Sequence, residues 1–558
     1  MDFQPQWRGR ERFVIFDAQW DAGTFAQWIA QWRADPQRPA RLHVIALGRG
    51  ELPGFQRVPQ MDAAVTLDLL HAPLDAALAQ LSARIDAVHL HALEDASFAR
   101  PLARLLAPDA TLHADGLTAG QRAALAATGW AFDEGGQGAR FATRKPIAPP
   151  PPAPERRAIV IGAGLAGAAA CERLCARGWQ VTLVERHRQA AMEASGNQAG
   201  ITMPLLSKDD NVASRLSRAA FLFALGYWQK LGGVGAAIEG AGCGVLHVAK
   251  DAAQTQLQQA TAEAQRLPPE YAEWLDPEAA AARFEGLAPH GAWLFPQGGW
   301  IRPASACQAM LDACGGRLRQ VFGAGSVTLE RVGEQWRVLD AAGGVVAEAR
   351  TVILANGAGA AELAQAACLP LVRVRGQVTH LAAPGENRGL TFEGRTPDAP
   401  LADLGLVLCR EAYVTPASSG VRSVGATYDD DFDPELRASS QHENLEKMRS
   451  MLDDPSIGVD APLLGRVGFR SVAPDRLPLV GALPDPACLL GAERLRELPR
   501  QAGLYGLLGY ASRGLTWAPL AAELLAASLE GEPLPLETGL AAALDPGRFR
   551  LRARRGRH

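Results

Sequence analysis

Alternating apolar runs and helical stretches occupy the first part of the chain. It begins with the strand-like RFVIFDA (Arg12–Ala18), a helical stretch through Trp32 and a second strand-like run, RLHVIAL (Arg41–Leu47). Further apolar runs at Ala87–Leu93 and Ala110–Asp115 continue the pattern. Strands that alternate with helices in this way are typical of a parallel sheet covered by helices. We therefore predict that the chain starts with a Rossmann-like α/β domain.

A proline-rich segment separates this part from the rest of the chain. KPIAPPPPAPERR, Lys145–Arg157, contains six prolines, which remove backbone donors and favour extended polyproline geometry. We predict a first domain over 1–145, a linker over 146–157, a second domain over 158–547 and an arginine-rich tail over 548–558. The alternative interpretation is a proline-rich recognition motif for a partner protein.

The clearest chemical signal follows the prolines. RRAIVIGAGLAGAAACERLCARGWQVTLVER, Arg156–Arg186, has the pattern of a strand, a glycine turn, a helix and a second strand. Gly162 permits the tight turn, Gly164 lets a pyrophosphate approach the helix N-terminus, and Gly167 lets helix and strand pack closely. Glu185 suits the hydroxyls of an unphosphorylated ribose, which favours FAD or NAD over NADP. The segment predicts a dinucleotide site.

Composition limits the classes of protein that remain. The chain is 48% hydrophobic and 21% charged, as in globular enzymes, and its start, MDFQPQWRGRER, has no apolar signal core. No apolar run reaches the roughly 18 residues of a membrane span, so we expect a cytoplasmic protein. Eight cysteines without a CxxC pair predict reduced thiols and no metal centre. The net charge of −4 gives no general attraction to nucleic acid, although the arginine tail is either a site for a polyanion or a solvated extension.

Several segments behind the glycine turn resemble the flavoproteins of the D-amino acid oxidase and glycine oxidase group. They are ASGNQAGITMP (Ala194–Pro204), TVILANGAGA (Thr351–Ala360), RGQV (Arg375–Val378), AYVTPA (Ala412–Ala417), GFRSVAPDRLPLVG (Gly468–Gly481) and GLYGLLGYASRGLTWAPLAAELLAASLEG (Gly503–Gly531). The resemblance implies an FAD domain with an antiparallel-sheet substrate domain, so the fold class is α/β followed by α+β. It implies that the cofactor is bound by Gly162, Ala163, Gly164, Leu165, Ala166, Gly167, Glu185, Arg186, Ser195, Gly196, Asn197, Gly200, Ala355, Asn356, Gly357, Gly509, Arg513, Gly514, Leu515 and Thr516.

Two further segments narrow the resemblance. FPQGGWIRPASAC (Phe295–Cys307) and GEPLPLETGLAAALDPGRFRLR (Gly531–Arg552) resemble the oxidoreductase half of the MnmC family of tRNA-modifying enzymes. The resemblance implies FAD-dependent removal of the carboxymethyl group, as glyoxylate, from 5-carboxymethylaminomethyl-(2-thio)uridine at the tRNA wobble position, which leaves the 5-aminomethyl base. It also implies tRNA as the partner and O2 or another acceptor for the electrons, with no metal and no membrane.

The substrate implied by this resemblance is an N-substituted glycine, whose carboxylate suits the planar fork of a guanidinium. By motif position, Arg470 resembles the carboxylate-binding arginine of glycine-oxidase-like enzymes, and Tyr413 their carboxylate-binding phenol. Arg513 lies in the turn that faces the flavin. The alternatives are a salt bridge between Arg470 and a neighbour such as Asp475, a merely buried Tyr413 ring, and an Arg513 that contacts only the flavin. No histidine or carboxylate stands out as a base.

The first domain departs from the methyltransferase half of the MnmC family. Where that half has a glycine-rich turn for S-adenosylmethionine, Asp17–Phe25 retains one glycine and contains Trp20. Gly48–Gly50 has no acid for the ribose, and Leu93–Ser97 stands where the family has a loop with a catalytic aspartate. We therefore expect a degenerate methyltransferase domain that does not bind S-adenosylmethionine. The alternative is an active methyltransferase with an unusual site, for which Asp17 and Asp95 are the candidates.

Three other functions remain open at this point. One is a bifunctional enzyme that also methylates its product. A second is a small-molecule oxidase of glycine, sarcosine or a D-amino acid, which has no evident need for the first domain or the tail. The third is a non-catalytic, FAD-containing tRNA-binding protein, which has no need for Tyr413 and Arg470.

Overall fold

The computed structural model describes residues 4–91, 95–142, 155–382, 401, 404–455, 457, 463–487 and 492–555. The predicted linker, 146–157, lies outside the described residues up to residue 154. The chain forms two compact units. The first is Met1–Pro154 with Glu523–Ala542, and the second is Glu155–Ala522 with Ala543–His558. The sequence pattern did not indicate that Glu523–Ala542 would join the first unit.

The first unit is built on one eight-stranded sheet. Its strands are β1 (Arg12–Asp17), β2 (Arg41–Leu47), β3 (Gly54–Val58), β4 (Val65–His71), β5 (Ile85–Leu90), β6 (Leu106–Ala114), β7 (Trp130–Phe132) and β8 (Gly138–Phe141). Its helices are α1 (Gln4–Trp7), α2 (Ala22–Ala34), α3 (Leu74–Gln80), α4 (Ala99–Ala103) and α5 (Ala119–Ala127).

The strand order is β3-β4-β2-β1-β5-β6-β8-β7. The five strands from β4 to β6 are parallel, whereas β3, β8 and β7 pair in antiparallel fashion. The chain builds outward from β1 first through β2 and β4, and then on the other side through β5 and β6. The order therefore reverses between β1 and β5, and such a switch point opens a crevice at the C-terminal ends of the strands.

Alternating residues of β1 show why this sheet is covered on both faces. Phe13 and Ile15 pack into a core with Trp28, while Val14 and Phe16 pack into a second core on the opposite face. A parallel strand buried on both faces has an almost continuous apolar sequence, as RFVIFD does. The predicted Rossmann-like start therefore has its structural counterpart in β1, β2, β5 and β6.

The residues from Glu523 onward join the first unit through a buried ionic cluster. Arg57 on β3 donates from Nη1 to Glu523 Oε1 at 2.8 Å and from Nε to Asp68 Oδ1 at 2.8 Å. His43 lies 2.7 Å from the other Asp68 oxygen. Arg57 also donates to the Pro533 carbonyl at 2.7 Å. Since each buried charge has an opposite charge or a carbonyl beside it, the cluster avoids an unpaired buried ion.

The second unit contains the remaining strands. They are β9 (Arg157–Ile161), β10 (Gln180–Val184), β11 (Gly200–Thr202), β12 (Gly240–Ala241), β13 (Val245–Val248), β14 (Glu273–Leu275), β15 (Ala292–Phe295), β16 (Gly299–Ile301), β17 (Leu318–Val321), β18 (Thr328–Val332), β19 (Gln335–Leu339), β20 (Val345–Ala349), β21 (Thr351–Leu354), β22 (Val372–Ala382), β23 (Val407–Cys409), β24 (Tyr413–Val414), β25 (Val421–Gly425), β26 (Leu463–Val472), β27 (Leu479–Pro484) and β28 (Arg500–Leu508).

The remaining helices follow in chain order, and their residues between Glu523 and Ala542 belong to the first unit. They are α6 (Leu165–Cys175), α7 (Val212–Lys230), α8 (Ala252–Gln265), α9 (Pro277–Arg283), α10 (Pro303–Asp312), α11 (Ala438–Leu452), α12 (Gly514–Glu530), α13 (Thr538–Leu544) and α14 (Arg548–Arg555). Among the described residues, no helix is long and apolar enough to cross a membrane.

Two large sheets organise the second unit. A six-stranded sheet has the order β17-β10-β9-β21-β28-β27 and is parallel except for the β27–β28 pair. An eight-stranded sheet has the order β14-β15-β13-β23-β24-β25-β22-β26, and only its β13–β23 pair is parallel. The first sheet is the predicted FAD domain, and the second is the predicted antiparallel substrate domain.

The arginine-rich tail does not begin as a solvated extension. Arg548–Arg555 is helical, and Arg548 is 4% exposed. Its guanidinium donates to both carboxylate oxygens of Asp475 at 2.9 Å. Asp475, which the sequence offered as a salt-bridge partner for Arg470, is thus bound to Arg548 instead. Arg548 holds the unit together and is not available for a polyanion.

Candidate active site

The glycine turn joins the C-terminal end of β9, a central strand of the six-stranded sheet, to α6. Gly162 has φ +101°, and a Cβ on it would lie 2.7 Å from the Ala355 carbonyl oxygen. A Cβ on Gly167 would lie 1.7 Å from the Gly162 carbonyl oxygen. Side chains at either position would therefore push the first turn of α6 away from the sheet. Gly164 is the residue before the helix, where a Cβ would lie 3.0 Å from Ser195 Oγ.

Glu185 lies at the end of β10, beside the glycine turn. The side chain is 7% exposed, and it accepts hydrogen bonds from the Ala163 amide at 2.6 Å and the His187 amide at 2.9 Å. These two donors fix the carboxylate at the cavity wall. The position is the one at which a dinucleotide-binding fold presents an acid to a ribose.

A single cavity of about 460 Å³ extends from the glycine turn to the eight-stranded sheet. Sixteen of the predicted cofactor residues line it, namely Gly162, Gly164, Leu165, Ala166, Glu185, Arg186, Ser195, Asn197, Gly200, Ala355, Asn356, Gly357, Gly509, Arg513, Gly514 and Leu515. Ala163, Gly167, Gly196 and Thr516 lie outside the wall. Gly167 and Ala163 support it from behind through the Gly162 and Glu185 contacts described above.

Five buried polar atoms of cavity-lining residues have no hydrogen-bond partner in the described part of the chain. They are Asn356 Oδ1, Arg373 Nε, Arg410 Nε, Ser471 Oγ and Tyr510 OH. A buried polar group left unpaired costs about 1–3 kcal/mol, so such atoms usually face a ligand. Their presence between the glycine turn and the far wall fits a long, polar cofactor such as FAD, whose pyrophosphate would approach Gly164.

Arg466 holds the loop that crosses the cavity beside the glycine turn. From β26 it donates to the carbonyl oxygens of Met192 at 2.6 Å and Glu193 at 2.5 Å, and to Asn197 Oδ1 at 3.1 Å. A Cβ on Gly196 would lie 2.4 Å from its guanidinium, which explains the glycine there. Burial lowers the pKa of Arg466 from its usual value. Gly196, which was predicted to bind the cofactor, does not line the cavity. It makes room for the Arg466 guanidinium instead.

The far wall brings together the three predicted catalytic residues. Arg470 on β26, Tyr413 at the start of β24 and Arg513 before α12 all line the cavity. Tyr413 OH donates to the Ala199 carbonyl at 3.4 Å, and Arg513 Nη1 donates to the Met203 carbonyl at 3.1 Å. Arg470 Nη1 donates to the Thr427 carbonyl at 3.0 Å.

These arginines have carbonyl partners but no carboxylate partner. Within the described ranges, no carboxylate oxygen lies within 4.0 Å of the guanidinium nitrogens of Arg470 or Arg513. Burial lowers the pKa of Arg513. Because a half-buried guanidinium group without a carboxylate partner attracts an anion, this part of the cavity wall is suited to bind one.

Two neutral groups complete the far wall. Burial raises the pKa of Tyr413 to about 12, so the phenol stays protonated and can donate a hydrogen bond. Burial, with a smaller contribution from the charge of Arg513, lowers the pKa of His247 to about 4, so its imidazole is uncharged near neutral pH. His247 and Cys409 are direct partners on β13 and β23, and Cys409 is paired with Tyr413 on β24.

Arg375, on the neighbouring strand β22, differs from Arg470 in having a carboxylate partner among the described residues. Arg375 is fully buried and donates to Asp429 at 2.9 Å and to the carbonyl oxygens of Asp433 and Glu435. Its guanidinium is therefore satisfied by the chain itself. The RGQV resemblance thus marks a structural arginine next to the site, and the following glycine, Gly376, makes room for Arg470.

Sequence reasoning missed His247, Arg466 and Arg373. Arg466 could have been predicted, because it shares one strand face with Gly468 and Arg470 at a spacing of two residues. Arg373, whose Cζ lies 3.8 Å from the centre of the Phe469 ring, lines the cavity next to the RGQV segment. His247 lies in GVLHVAK, an ordinary strand sequence that gives no sign of a cavity-lining residue.

The turn after β1 in the first unit is closed by its own hydrogen bonds. The Ala18 amide donates to the His89 carbonyl at 2.9 Å, the Trp20 amide to the Leu47 carbonyl at 2.7 Å, and the Gln19 amide to Asp17 Oδ1 at 3.2 Å. The Trp20 ring packs against Phe25 at 5.4 Å. These backbone donors, which a glycine-rich turn would offer to a ligand, are already used.

The region after β2 is filled in a similar way. The His71 ring lies where a Cβ on Gly48 would meet it at 2.3 Å, and its Nδ1 accepts a hydrogen bond from the Gly50 amide at 2.8 Å. Asp95 accepts bonds from the amide and hydroxyl of Ser97 at 2.9 Å and 2.7 Å, and is exposed. Neither feature resembles a ribose-binding acid or a buried base.

Comparisons with known proteins show the family and the fold. A family model described as FAD dependent oxidoreductase matches residues 157–528. Among solved structures, glycine oxidase from Geobacillus kaustophilus is similar over 70% of this chain and 99% of its own, with a TM-score of 0.57 and 20% identity. Iminodiacetate oxidase from Chelativorans sp. BNC1 is similar over 68% and 96%, with a TM-score of 0.53 and 24% identity. The structural likenesses concern the fold. The fold and the family match define an FAD dependent oxidoreductase that acts on CH–NH groups.

Curated relatives identify the branch of this class. The "tRNA 5-methylaminomethyl-2-thiouridine biosynthesis bifunctional protein MnmC" of Azoarcus sp. (strain BH72) is 40% identical over 99% of this chain and 92% of the relative. The protein of the same name from Burkholderia thailandensis is 40% identical over 100% and 93%. The chain belongs to the MnmC family. The resemblance inferred from the sequence is therefore confirmed, as is FAD as the cofactor.

Proposed function

We propose that this chain removes the carboxymethyl group from 5-carboxymethylaminomethyl-(2-thio)uridine at the wobble position of tRNA. The observation that supports it best is the far wall of the cavity, where Arg470 and Arg513 have no carboxylate partner within the described residues. The substrate supplies such a carboxylate on the carbon next to a secondary amine.

The reaction is an oxidation of that carbon–nitrogen bond followed by hydrolysis. Bound FAD supplies the chemistry of accepting a hydride from the CH2 group. The resulting C=N bond takes up water and breaks to give glyoxylate and the 5-aminomethyl base. O2 or another acceptor then receives the two electrons.

The residues of the chain position the substrate in this proposal. Arg470 binds the carboxylate through two parallel hydrogen bonds, and Tyr413, protonated because its pKa is raised to about 12, donates a third. Arg513, in the turn before α12, adds a second positive charge to the part of the cavity that binds the carboxylate. His247 is uncharged and leaves the amine lone pair free of a competing positive charge. No side chain need remove a proton from carbon, because the electron pair that assists hydride loss is on the substrate nitrogen.

Anaerobic mixing tests this assignment. tRNA that carries the carboxymethylaminomethyl base should bleach the visible flavin absorbance in a single exponential phase, and glyoxylate should be released in equal amount. The same tRNA with an unmodified wobble uridine is the control. Bleaching by free glycine or sarcosine would instead indicate a small-molecule oxidase, and a yellow protein that no tRNA bleaches would indicate a non-catalytic binding protein.

We also propose that the first unit is a degenerate methyltransferase domain. The amides after β1 are bonded to Leu47, His89 and Asp17, and the His71 ring occupies the region after β2. Neither position is free for S-adenosylmethionine. In this proposal the first unit, which also includes Glu523–Ala542, serves tRNA docking or stability.

A further inference from the structure

Five potential metal ligands meet at one edge of the first unit. They are Asp17, His89, His91, His113 and Asp115, and their ligand atoms form two groups, each within 4.8 Å. The first group is Asp17, His89 and His91, and the second is His89, His113 and Asp115. The cysteine pattern predicted no metal centre, but that pattern carries no information about these histidines.

Strand register explains why they meet. Asp17 on β1 is the direct partner of His89 on β5, and His89 is the direct partner of His113 on β6. His91 and Asp115 each follow a histidine by two residues, so they continue on the same side. All five lie at the C-terminal edge of parallel strands, and Asp17 and His89 flank the switch point between β1 and β5. This is the crevice in which open α/β sheets bind their ligands.

The distances within the first group fit a small ion. Asp17 Oδ1 lies 3.1 Å from His91 Nε2 and 3.4 Å from His89 Nδ1. A tetrahedral zinc ion with bonds of about 2.0–2.1 Å holds its ligand atoms roughly 3.3 Å apart. These two separations therefore match those between corners of such a tetrahedron, and all three ligand atoms lie within 4.8 Å of one another.

The state of His89 also points to a missing partner. Its Nδ1 is buried and makes no hydrogen bond within the described residues, although the Asp17 carboxylate is near. The imidazole is held in place by three ring contacts, at 4.2 Å to His91, 6.0 Å to Trp28 and 5.7 Å to the stacked His113. A buried nitrogen that stays unsatisfied in a fixed ring calls for a partner, and an ion between His89 and Asp17 would supply it.

Exposure differs across the cluster. The side chains of Asp17 and His89 are 3% and 12% exposed, whereas those of His91 and His113 are 33% and 39% exposed. One side of the first group is thus closed and the other faces solvent. Three protein ligands with an open side are the arrangement of a zinc ion that keeps a water molecule in its fourth position.

We propose that Asp17, His89 and His91 bind one divalent transition-metal ion of the Zn²⁺ class. Two imidazoles and one carboxylate are ligands that such ions prefer over Mg²⁺ or Ca²⁺, which take mainly oxygen. His113 stacks on His89, and Asp115 lies 3.7 Å from His113, so this pair orients the ligand ring from behind. The site is separate from the flavin cavity, and it does not depend on the reaction proposed above.

Calorimetry on the untagged, FAD-loaded full chain tests the proposal after treatment with a chelator and its removal. ZnCl2 should bind with one equivalent per chain, and MgCl2 should give no heat. CoCl2 should give the visible absorption bands of a tetrahedral or five-coordinate ion. His91→Ala and Asp17→Asn should each weaken Zn²⁺ binding by more than about 100-fold, since loss of an outer partner alone typically costs 10- to 100-fold. His442→Ala, an exposed histidine on α11, is the matched control and should bind as the wild type does.

Thermal unfolding separates loss of the site from loss of the fold. Zn²⁺ should raise the unfolding temperature of the wild type and of His442→Ala, because a ligand stabilises the state that binds it. It should not raise that of Asp17→Asn, whose circular dichroism and FAD content should match the wild type. No zinc binding by the wild type, equal binding of Mg²⁺, or a loss in His113→Ala as large as that in His91→Ala would each overturn the assignment.

Discussion

Arg470 on β26 and Gly376 on β22 are packed so closely that a Cβ on the glycine would lie 2.2 Å from Nη1 of the arginine. The guanidinium crosses the adjacent strand at a position without a side chain. Its other face lies against Tyr428, with Cζ 4.1 Å from the ring centre. Arg470 is therefore aimed at the cavity by a glycine on one side and an aromatic ring on the other.

Replacing Arg470 should affect turnover and leave the cofactor in place. Arg470→Ala should retain FAD but lose roughly 2–5 kcal/mol of transition-state stabilisation, because the substrate carboxylate would be buried without its partner. Arg470→Lys should recover only part, since an ammonium cannot form the two parallel bonds. Single-turnover rates with modified tRNA give both values. Unchanged turnover in Arg470→Ala would move the carboxylate site to Arg513 or elsewhere.

Gly376→Ala should resemble a weakened Arg470 variant although it removes no functional group. The new methyl group would displace the guanidinium, so we expect kcat/KM to fall by at least about tenfold, or about 1.4 kcal/mol, with FAD content unchanged. Gly242→Ala is the matched control, because a Cβ there meets nothing within 4 Å. Equal activity of the two variants would show that Arg470 needs no such space.

The cofactor site gives a third prediction. Gly164→Val should be purified without yellow colour, because its side chain would meet Ser195 and occupy the space that the pyrophosphate needs. Absorbance at the flavin maximum, relative to protein, measures the FAD content. Gly242→Val, in an exposed loop, should remain fully loaded. A full complement of FAD in Gly164→Val would mean that the nucleotide loop lies elsewhere.

Local signals in the sequence predicted much of this arrangement. The sequence predicted the glycine turn, Glu185 and the second strand, because the residue type at each position has its own steric or electrostatic cause within one short segment. Arg470, Tyr413 and Arg513 were identified through resemblance, and the structure places all three on one cavity. Packing between residues distant in sequence could not be predicted from these local signals. The partnership of Arg548 with Asp475 joins residues distant in sequence, and His247 faces the cavity only because β13 pairs with β23.

The buried histidine predicts how stability depends on pH. The pKa of His247 is about 4 in the folded protein, below its ordinary value of 6.5, so the unfolded chain binds the proton first as the pH falls. The contribution of neutral His247 to the free energy of unfolding is fully present above pH 6.5 and is lost as the pH falls toward 4. At about 1.4 kcal/mol per pKa unit, the loss is at most about 3 kcal/mol.

His247→Asn should therefore lose less stability than the wild type between pH 7 and pH 4.5. Urea unfolding with saturating FAD, followed by circular dichroism, measures the difference. His442→Asn, whose side chain is 72% exposed, should follow the wild-type pH dependence. Parallel curves for wild type and His247→Asn would show that His247 keeps its ordinary pKa.

The last prediction concerns the first unit, where we propose that this chain departs from what the name of its bifunctional relatives suggests. The amides of Ala18, Gln19 and Trp20 are bonded within the unit, and the His71 ring fills the region after β2. A ligand would have to break these bonds and displace the rings, so we expect calorimetry to detect no binding of S-adenosylmethionine.

Mass spectrometry of the product completes this test. tRNA treated with the purified chain and S-adenosylmethionine should accumulate the 5-aminomethyl base, and a separate methyltransferase would be needed to convert it further. Because closure of the turn depends on several bonds at once, Trp20→Gly alone should not create binding. Saturable binding at micromolar S-adenosylmethionine, or methylated product from the purified chain alone, would restore the bifunctional assignment, with Asp17 and Asp95 as the first residues to replace.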